Sequence, residues 1–336
     1  MKNPTTREIA KKAGVSPAAV SLALNGKKGI SEDTRKTILK IAQSMNYNPQ
    51  GNRTRENKRK TARYNIAVLF RTDLNSMDQL FYNELNISVM KACESIPYNL
   101  IFTSVRNASL LPDVISTKNV DGIMLYGDMD QAVIDEIIAL EIPFVVLDSS
   151  RINFYQTAVR VEYDSAAYLA TRHLIELGHR DIAFIGNDNM HDFNVLVFSG
   201  FQCATAESDI SLPLNRIQIG VYNEESLYAS IDNILSGADI PTALFCATDS
   251  YAILAIHYLH RKGIRIPEDI SVIGIDELIH SRFTIPSLTT VRIDRDLIGK
   301  IGSELLIRKI HGEECESVMV PAGELIIRES TALPCR

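Results

Sequence analysis

The chain has 336 residues, 46% apolar and 23% charged, long enough for two or three domains and apolar enough to bury a core. No apolar run approaches the ~18 residues of a membrane span, the first residues lack a secretory h-region, and Cys93, Cys203, Cys246, Cys315 and Cys335 form no CxxC pair, which argues against a zinc site or a disulfide framework. The formal charge of −6, taken whole, points away from a nucleic-acid partner.

The charge is divided along the chain. Residues 1–63 hold fifteen Lys and Arg against four Asp and Glu, a net +11, and the remainder carries −17. This is the pattern of a basic module joined to an acidic body, and a basic module gains free energy by releasing the counterions of a polyanion. Within the module, Thr5 or Thr6 is placed to cap a first helix through about Ala13, and Gly14 suits a tight turn. Ser16 caps a second helix with Pro17 at its first position, running to about Asn25. Ser31 caps a third, with Glu32 and Asp33 at its positive end, stopping near Met45 and Asn46 before Pro49. Ile9, Ala10, Val15, Val20, Leu24, Ile38, Ile41 and Ala42 are spaced to close one small core. Two short helices about a glycine turn in a basic module predict a helix-turn-helix whose second helix enters the major groove of double-stranded DNA.

Residues 50–63, QGNRTRENKRKTAR, have only Ala62 as an apolar side chain and read as a basic linker. From Asn65 onward, apolar strands alternate with amphipathic helices. Strands are predicted at 65–70, 100–104, 122–126, 143–147, 158–161, 182–186, 217–220, 242–247 and 270–274, and helices near 78–95, 130–140, 164–178, 193–207, 223–236 and 250–262. Strands that are apolar throughout belong in parallel sheets covered on both faces.

The segment TTREIAKKAGVSPAAVSLALNGKKGISEDTRKTILKIAQSMNYNP resembles the head of the lac-repressor/galactose-repressor family, through its AGVS turn, its VS…LNG helix, its SE.TR helix start and its final Y.P. The resemblance continues through VDGI at 120–123, IPFVVLD at 142–148, HLIELGHRDIAFIG at 173–186, PTALFCATDSYAILAI, GIRIPEDISVIGIDE, PSLTTVRIDRDLIG and LIIRES. It implies a small all-α helix-turn-helix head (1–49), the linker (50–63), and an α/β body (64–336) with the periplasmic-binding-protein type I fold. That body has two doubly wound parallel-sheet lobes, one about 64–160 with 291–319, the other about 161–290 with 320–336. It further implies a homodimeric transcription regulator, most readily a repressor, on a pseudo-palindromic operator, acting in the cytoplasm at the nucleoid and answering to a small-molecule effector held between the lobes.

By family position, Thr5, Thr6, Ser16, Pro17, Ala18, Ser21, Leu22, Asn25 and Lys28 face the DNA, and Arg53 and Arg55 follow in the linker. Members often carry Arg where this chain has Leu22, so Ala18 and Leu22 are expected on thymine methyls instead. The leucine that wedges into the minor groove in the family is Glu56 here, flanked by Gly51 and Arg53 at alanine positions, so weaker operator bending is expected. In the cleft, the resemblance assigns effector contacts to Asp148, Tyr222, Thr248, Asp249 and Asp276, and to Val197 where the family often has an effector-clamping Arg. The proline-phenylalanine motif after the first strand is missing. Capping of strand-end backbone is the alternative role for Asp249 and Asp276. A transporter's solute-binding protein would show an export signal and no head. An enzyme would show a motif such as GxGxxG, GxxxxGK[ST] or GxSxG, and none is present. Neither a cofactor nor a metal is expected, and His257 with His260 reads as a solvated helix face.

Overall fold

The computed structural model describes residues 6–24, 29–45, 64–71, 79–105, 111–151, 156–187, 192–237 and 239–335. The chain divides into two compact units between Arg63 and Tyr64. Thr5, Asn25, Lys28 and the linker residues Gly51, Arg53, Arg55 and Glu56 lie outside the described residues.

In the head, α1 spans Thr6–Ala13, α2 Pro17–Leu24 and α3 Glu32–Ser44. Ser16 caps α2 by accepting the Ala19 N–H at 3.2 Å. Ser31 does the same for α3, accepting the Thr34 N–H at 3.2 Å. Ile9, Ala10, Val20, Ala23, Ile38 and Ala42 are buried together, with Val15, Leu24 and Ile41 packed around them. Arg35 on α3 donates to the carbonyls of Leu22 and Ala23, each at 3.3 Å, and so satisfies the last turn of α2.

The body is built on two six-stranded sheets. The first takes β1 (Asn65–Arg71), β2 (Asn99–Val105), β3 (Gly122–Tyr126), β4 (Phe144–Leu147), β5 (Ala158–Val161) and β11 (Val318–Val320), in the order β11-β5-β4-β3-β1-β2. The second takes β6 (Ile182–Asn187), β7 (Ile217–Val221), β8 (Ala243–Cys246), β9 (Ser271–Asp276), β10 (Thr289–Arg292) and β12 (Leu325–Ile326), in the order β12-β10-β9-β8-β6-β7. The pairs are parallel except β10 with β12. The central strands β3, β4, β8 and β9 are buried along their whole length, whereas β2 and β7, at the sheet edges, are partly exposed.

The helices that cover these sheets are α4 (Gln79–Cys93), α5 (Asp113–Ser116), α6 (Gln131–Ala139), α7 (Tyr163–Glu176), α8 (Asp192–Glu207), α9 (Glu224–Leu235), α10 (Asp249–Arg261) and α11 (Arg295–Ile310). The chain passes between lobes at 161–163, 292–295 and 320–325. β10, α11, β11 and β12 were not among the elements predicted from the periodicity. α11 is apolar around much of its circumference, because it packs on both α4 and the first sheet, and so it lacks a clean one-sided stripe.

The recurring sequence blocks find structural explanations here. In HLIELGHR, His173 bonds Thr331 at 3.0 Å, and His179 bonds Thr242 and the Ala332 carbonyl, each at 2.9 Å. In LIIRES, Ser330 takes the Thr289 N–H at 2.8 Å and donates to the Val272 carbonyl at 2.6 Å. Both blocks therefore fasten the C-terminal segment to the second lobe.

Candidate DNA-reading face and interlobe cleft

On α2, Val20 and Ala23 point into the head's core, while Ser16, Pro17, Ala18 and Ser21 are exposed and Leu22 is half-buried. Positions 17, 18, 21 and 22 share one helix face, so the side chains predicted to meet base edges are gathered there. Thr6, at the start of α1, is half-buried.

In the body, the strand orders reverse between β1 and β3 and between β6 and β8, and the carboxyl ends of the strands at such points are where doubly wound sheets bind ligands. Asp148 follows β4 in a left-handed conformation, φ +61°. Its carboxylate accepts the Tyr163 hydroxyl at 2.6 Å and the Tyr82 hydroxyl at 3.2 Å. Tyr163 opens α7 in the second lobe, so this contact joins the lobes. Its ring meets Phe193 edge-on, with centroids 4.7 Å apart, and Tyr82 stacks on Tyr126. Burial, with Asp148 and Asp276 nearby, pushes the Tyr163 phenol well above its ordinary range. Asp128 accepts the hydroxyls of Ser149 and Ser150 at 3.2 and 2.6 Å.

The second lobe's expected contacts are placed less uniformly. Asp276 ends β9 and is buried; burial, then the neighbouring Asp249, drives its carboxyl well above the usual range. Asp249 is fully enclosed: one oxygen accepts the Thr290 hydroxyl at 2.6 Å, the other the Leu278 N–H at 2.9 Å, and burial raises its carboxyl to about 7. One oxygen thus caps the backbone of the turn after β9, and the other holds the side chain of Thr290 on β10. Thr248 caps α10 through the Tyr251 N–H at 3.4 Å. Tyr222 is 61% exposed beyond β7. Val197, expected beside an effector, is fully buried in the apolar core with Phe184 and Phe201. The correction is physical: Val197 lies on the buried face of α8 with Gly200 and Phe201, where a branched apolar side chain packs well.

A polar clasp beside the cleft was not foreseen. Arg295, at the start of α11, donates to the carbonyls of Asp276 at 2.5 Å and Glu277 at 2.9 Å. It also pairs with Glu84 of α4 at 3.0 Å and lies over the Phe81 ring at 5.6 Å. Glu84 in turn accepts the Ile279 N–H at 2.8 Å. First-lobe side chains therefore grip the backbone immediately after Asp276. Glu277 is held by Arg282 at 2.9 Å, Arg292 at 2.8 Å and Arg328; burial opposes its ionisation, but the three arginines prevail and keep its carboxyl below the usual range. Arg328 belongs to LIIRES, so its presence in that block was the available signal.

Residues 5–50 match the family model of bacterial regulatory proteins, lacI family, and residues 171–331 match a periplasmic binding protein-like domain. Over 334 residues the chain is 30% identical to the HTH-type transcriptional repressor PurR of Histophilus somni (strain 129Pt), covering 97% of this chain and 98% of that protein. The chain belongs to the lacI family of bacterial regulatory proteins. It is accordingly a DNA-binding regulator of transcription, not a transporter's solute-binding protein and not an enzyme. The fold agrees: the transcriptional regulator CelR in complex with cellobiose superposes with a TM-score of 0.72 at 23% identity, covering 98% of this chain and 100% of that one. The lac repressor dimer bound to operator and the anti-inducer ONPF gives 0.69 at 23%, with the same coverage. This lacI-family chain has no helix, among the described residues, long and apolar enough to cross a membrane.

Proposed function

We propose that this lacI-family protein is a homodimeric repressor that reads a pseudo-palindromic operator with paired α2 helices and is controlled by a small molecule entering the interlobe cleft. The observation that carries this reading is the α2 face, capped by Ser16, anchored by Arg35 and exposed at Pro17, Ala18 and Ser21, in a segment of net charge +11. Thr5, Thr6, Lys28, Arg53 and Arg55 supply phosphate contacts, which fix position rather than sequence, and Asn25 donates to a phosphate or a base edge. In the cleft, Asp148, Asp276, Thr248 and Tyr222 meet the effector, joined by Tyr163, while Asp249 and Val197 support them from behind.

Dimerisation is supported by exposed apolar side chains on α4 and on the segment after β9. Ile87 and Met90 are exposed on α4, and Ile279, Phe283 and Ile285 on the segment after β9. Ile87 and Ile279 line the same open cavity of about 600 Å³, between charged side chains such as Lys91, Arg282 and Asp296. Exposed apolar area of this kind marks an interaction surface.

Selection of bound duplexes from a random pool by the full-length protein tests the reading. An enriched inverted repeat is expected; no enrichment, or a single asymmetric site, would refute it. The Phe283→Asp/Ile285→Asp protein should sediment as a monomer and lose the inverted-repeat preference.

A further inference from the structure

We infer that the head discriminates bases mainly by contact with thymine methyl groups, with Pro17 and Ala18 as the reading surface and Leu22 fixed beside them. The inference rests on the proposed DNA-binding role of the head.

Base pairs in the major groove are told apart by hydrogen-bond patterns and by the thymine 5-methyl, the apolar group on that edge. Reading the patterns calls for forked or amide side chains such as Arg, Asn or Gln. α2 is PAAVSLAL, and none of these occurs in it. Its outward face offers Pro17, Ala18 and Ser21, preceded by Ser16. Ser16 is already engaged as the cap, accepting the Ala19 N–H at 3.2 Å. A serine hydroxyl donates and accepts, so it pairs with any base edge and discriminates poorly. Among the described residues of α2, what remains on this face to distinguish one base pair from another is apolar surface.

That surface is held rigidly. A Cβ added at Gly29 would lie 3.3 Å from Leu22 Cδ1, so the leucine is lodged against the turn leading into α3. The Leu22 and Ala23 carbonyls are tied to Arg35, which prevents the end of α2 from fraying. Pro17 has a fixed φ, and Ala18 has no side-chain torsion to lose. Such a face cannot fork around the hydrogen-bonding groups of a base edge; it fits an apolar surface of matching shape, which the thymine methyls on those edges provide.

The test uses full-length protein and its selected operator, with binding followed by fluorescence anisotropy. Each thymine of a half-site is replaced singly by uracil, which keeps the pairing and the O4 acceptor and lacks only the methyl. At the contacted positions binding should weaken about fourfold per methyl, the equivalent of ~0.8 kcal/mol for one buried carbon. In the Ala18→Gly protein at least one of these thymine–uracil differences should vanish. The uracil series needs no protein variant, so misfolding of the glycine variant leaves the main result intact. Equal affinity for thymine and uracil at every half-site position overturns the inference, as does a selected half-site without thymine. Failure to select any duplex overturns the DNA-binding reading itself, an outcome distinct from binding that ignores the methyl.

Discussion

The head and the body solve the same folding problem with unequal means. The head's described core consists of Ile9, Ala10, Val20, Ala23, Ile38 and Ala42, three of them alanines, in a segment (1–49) with nine basic against three acidic residues, a net +6 that repels itself. The body buries three clusters on the two faces of its sheets and carries the opposite charge. A small core makes each side chain a large share of the stability, and helix caps and the Arg35 tie then carry real weight. The contrast teaches that the DNA-reading unit is the vulnerable one, and that the sign of its charge serves a partner rather than the fold.

Three measurements can break or sharpen that contrast. Ile38→Ala removes the largest inward side chain of α3 and should cost the head about 2–5 kcal/mol. Operator binding should then disappear while the body's melting transition stays where it was. A parallel loss in the body would show that the two units do not melt independently.

Gly200→Ala acts on the body. A Cβ there would lie 2.0 Å from the Asp164 carbonyl oxygen, which belongs to the backbone of α7, so the two helices must separate. The expected cost is about 1–3 kcal/mol, measured by urea unfolding of the full chain. The body's larger core should keep it folded, and non-specific DNA binding should persist.

The smallest effect concerns pH. Asp249 has its carboxyl raised to about 7 by burial, above its ordinary 3.8. The native state therefore holds a proton that the unfolded chain releases, and the resulting stability is fully present below the unfolded value and lost as pH rises through about 7. Asp249→Asn keeps an acceptor for Leu278 and a partner for Thr290 without a titrating proton. Its melting temperature should fall less than that of the parent between pH 5 and 8. His173 and His179, lowered by burial, act in the opposite direction as pH drops, equally in both proteins, and so cancel from the difference. Identical slopes would mean that Asp249 is ionised in the fold.

Much of this was legible in the chain. Caps at Ser16 and Ser31, the inward set of Ile9, Val20 and Ile38, and the unbroken apolar strands are local signals, and local signals survive into the structure because propensity and burial agree there. The cleft was legible only in part. Asp148 and Asp276 are at strand ends, as the family pattern implies, but the partners that define them come from distant segments: Tyr82 and Tyr163 on Asp148, Arg295 and Glu84 around Asp276. Val197 shows the limit most clearly, since its number in the pattern gave a position on α8 but not the direction of its side chain.

By itself, then, the sequence determined the division into a basic head and an acidic body, the element types, and the family, because charge and periodicity are properties of neighbouring residues. Tertiary structure decided which polar groups are spent on the fold and which face the cleft. Asp249 became a cap, Glu277 the centre of three arginines, and Arg295 a clasp between lobes, because hydrogen-bond partners in a doubly wound fold are brought together by strand order, and strand order joins residues far apart in the chain.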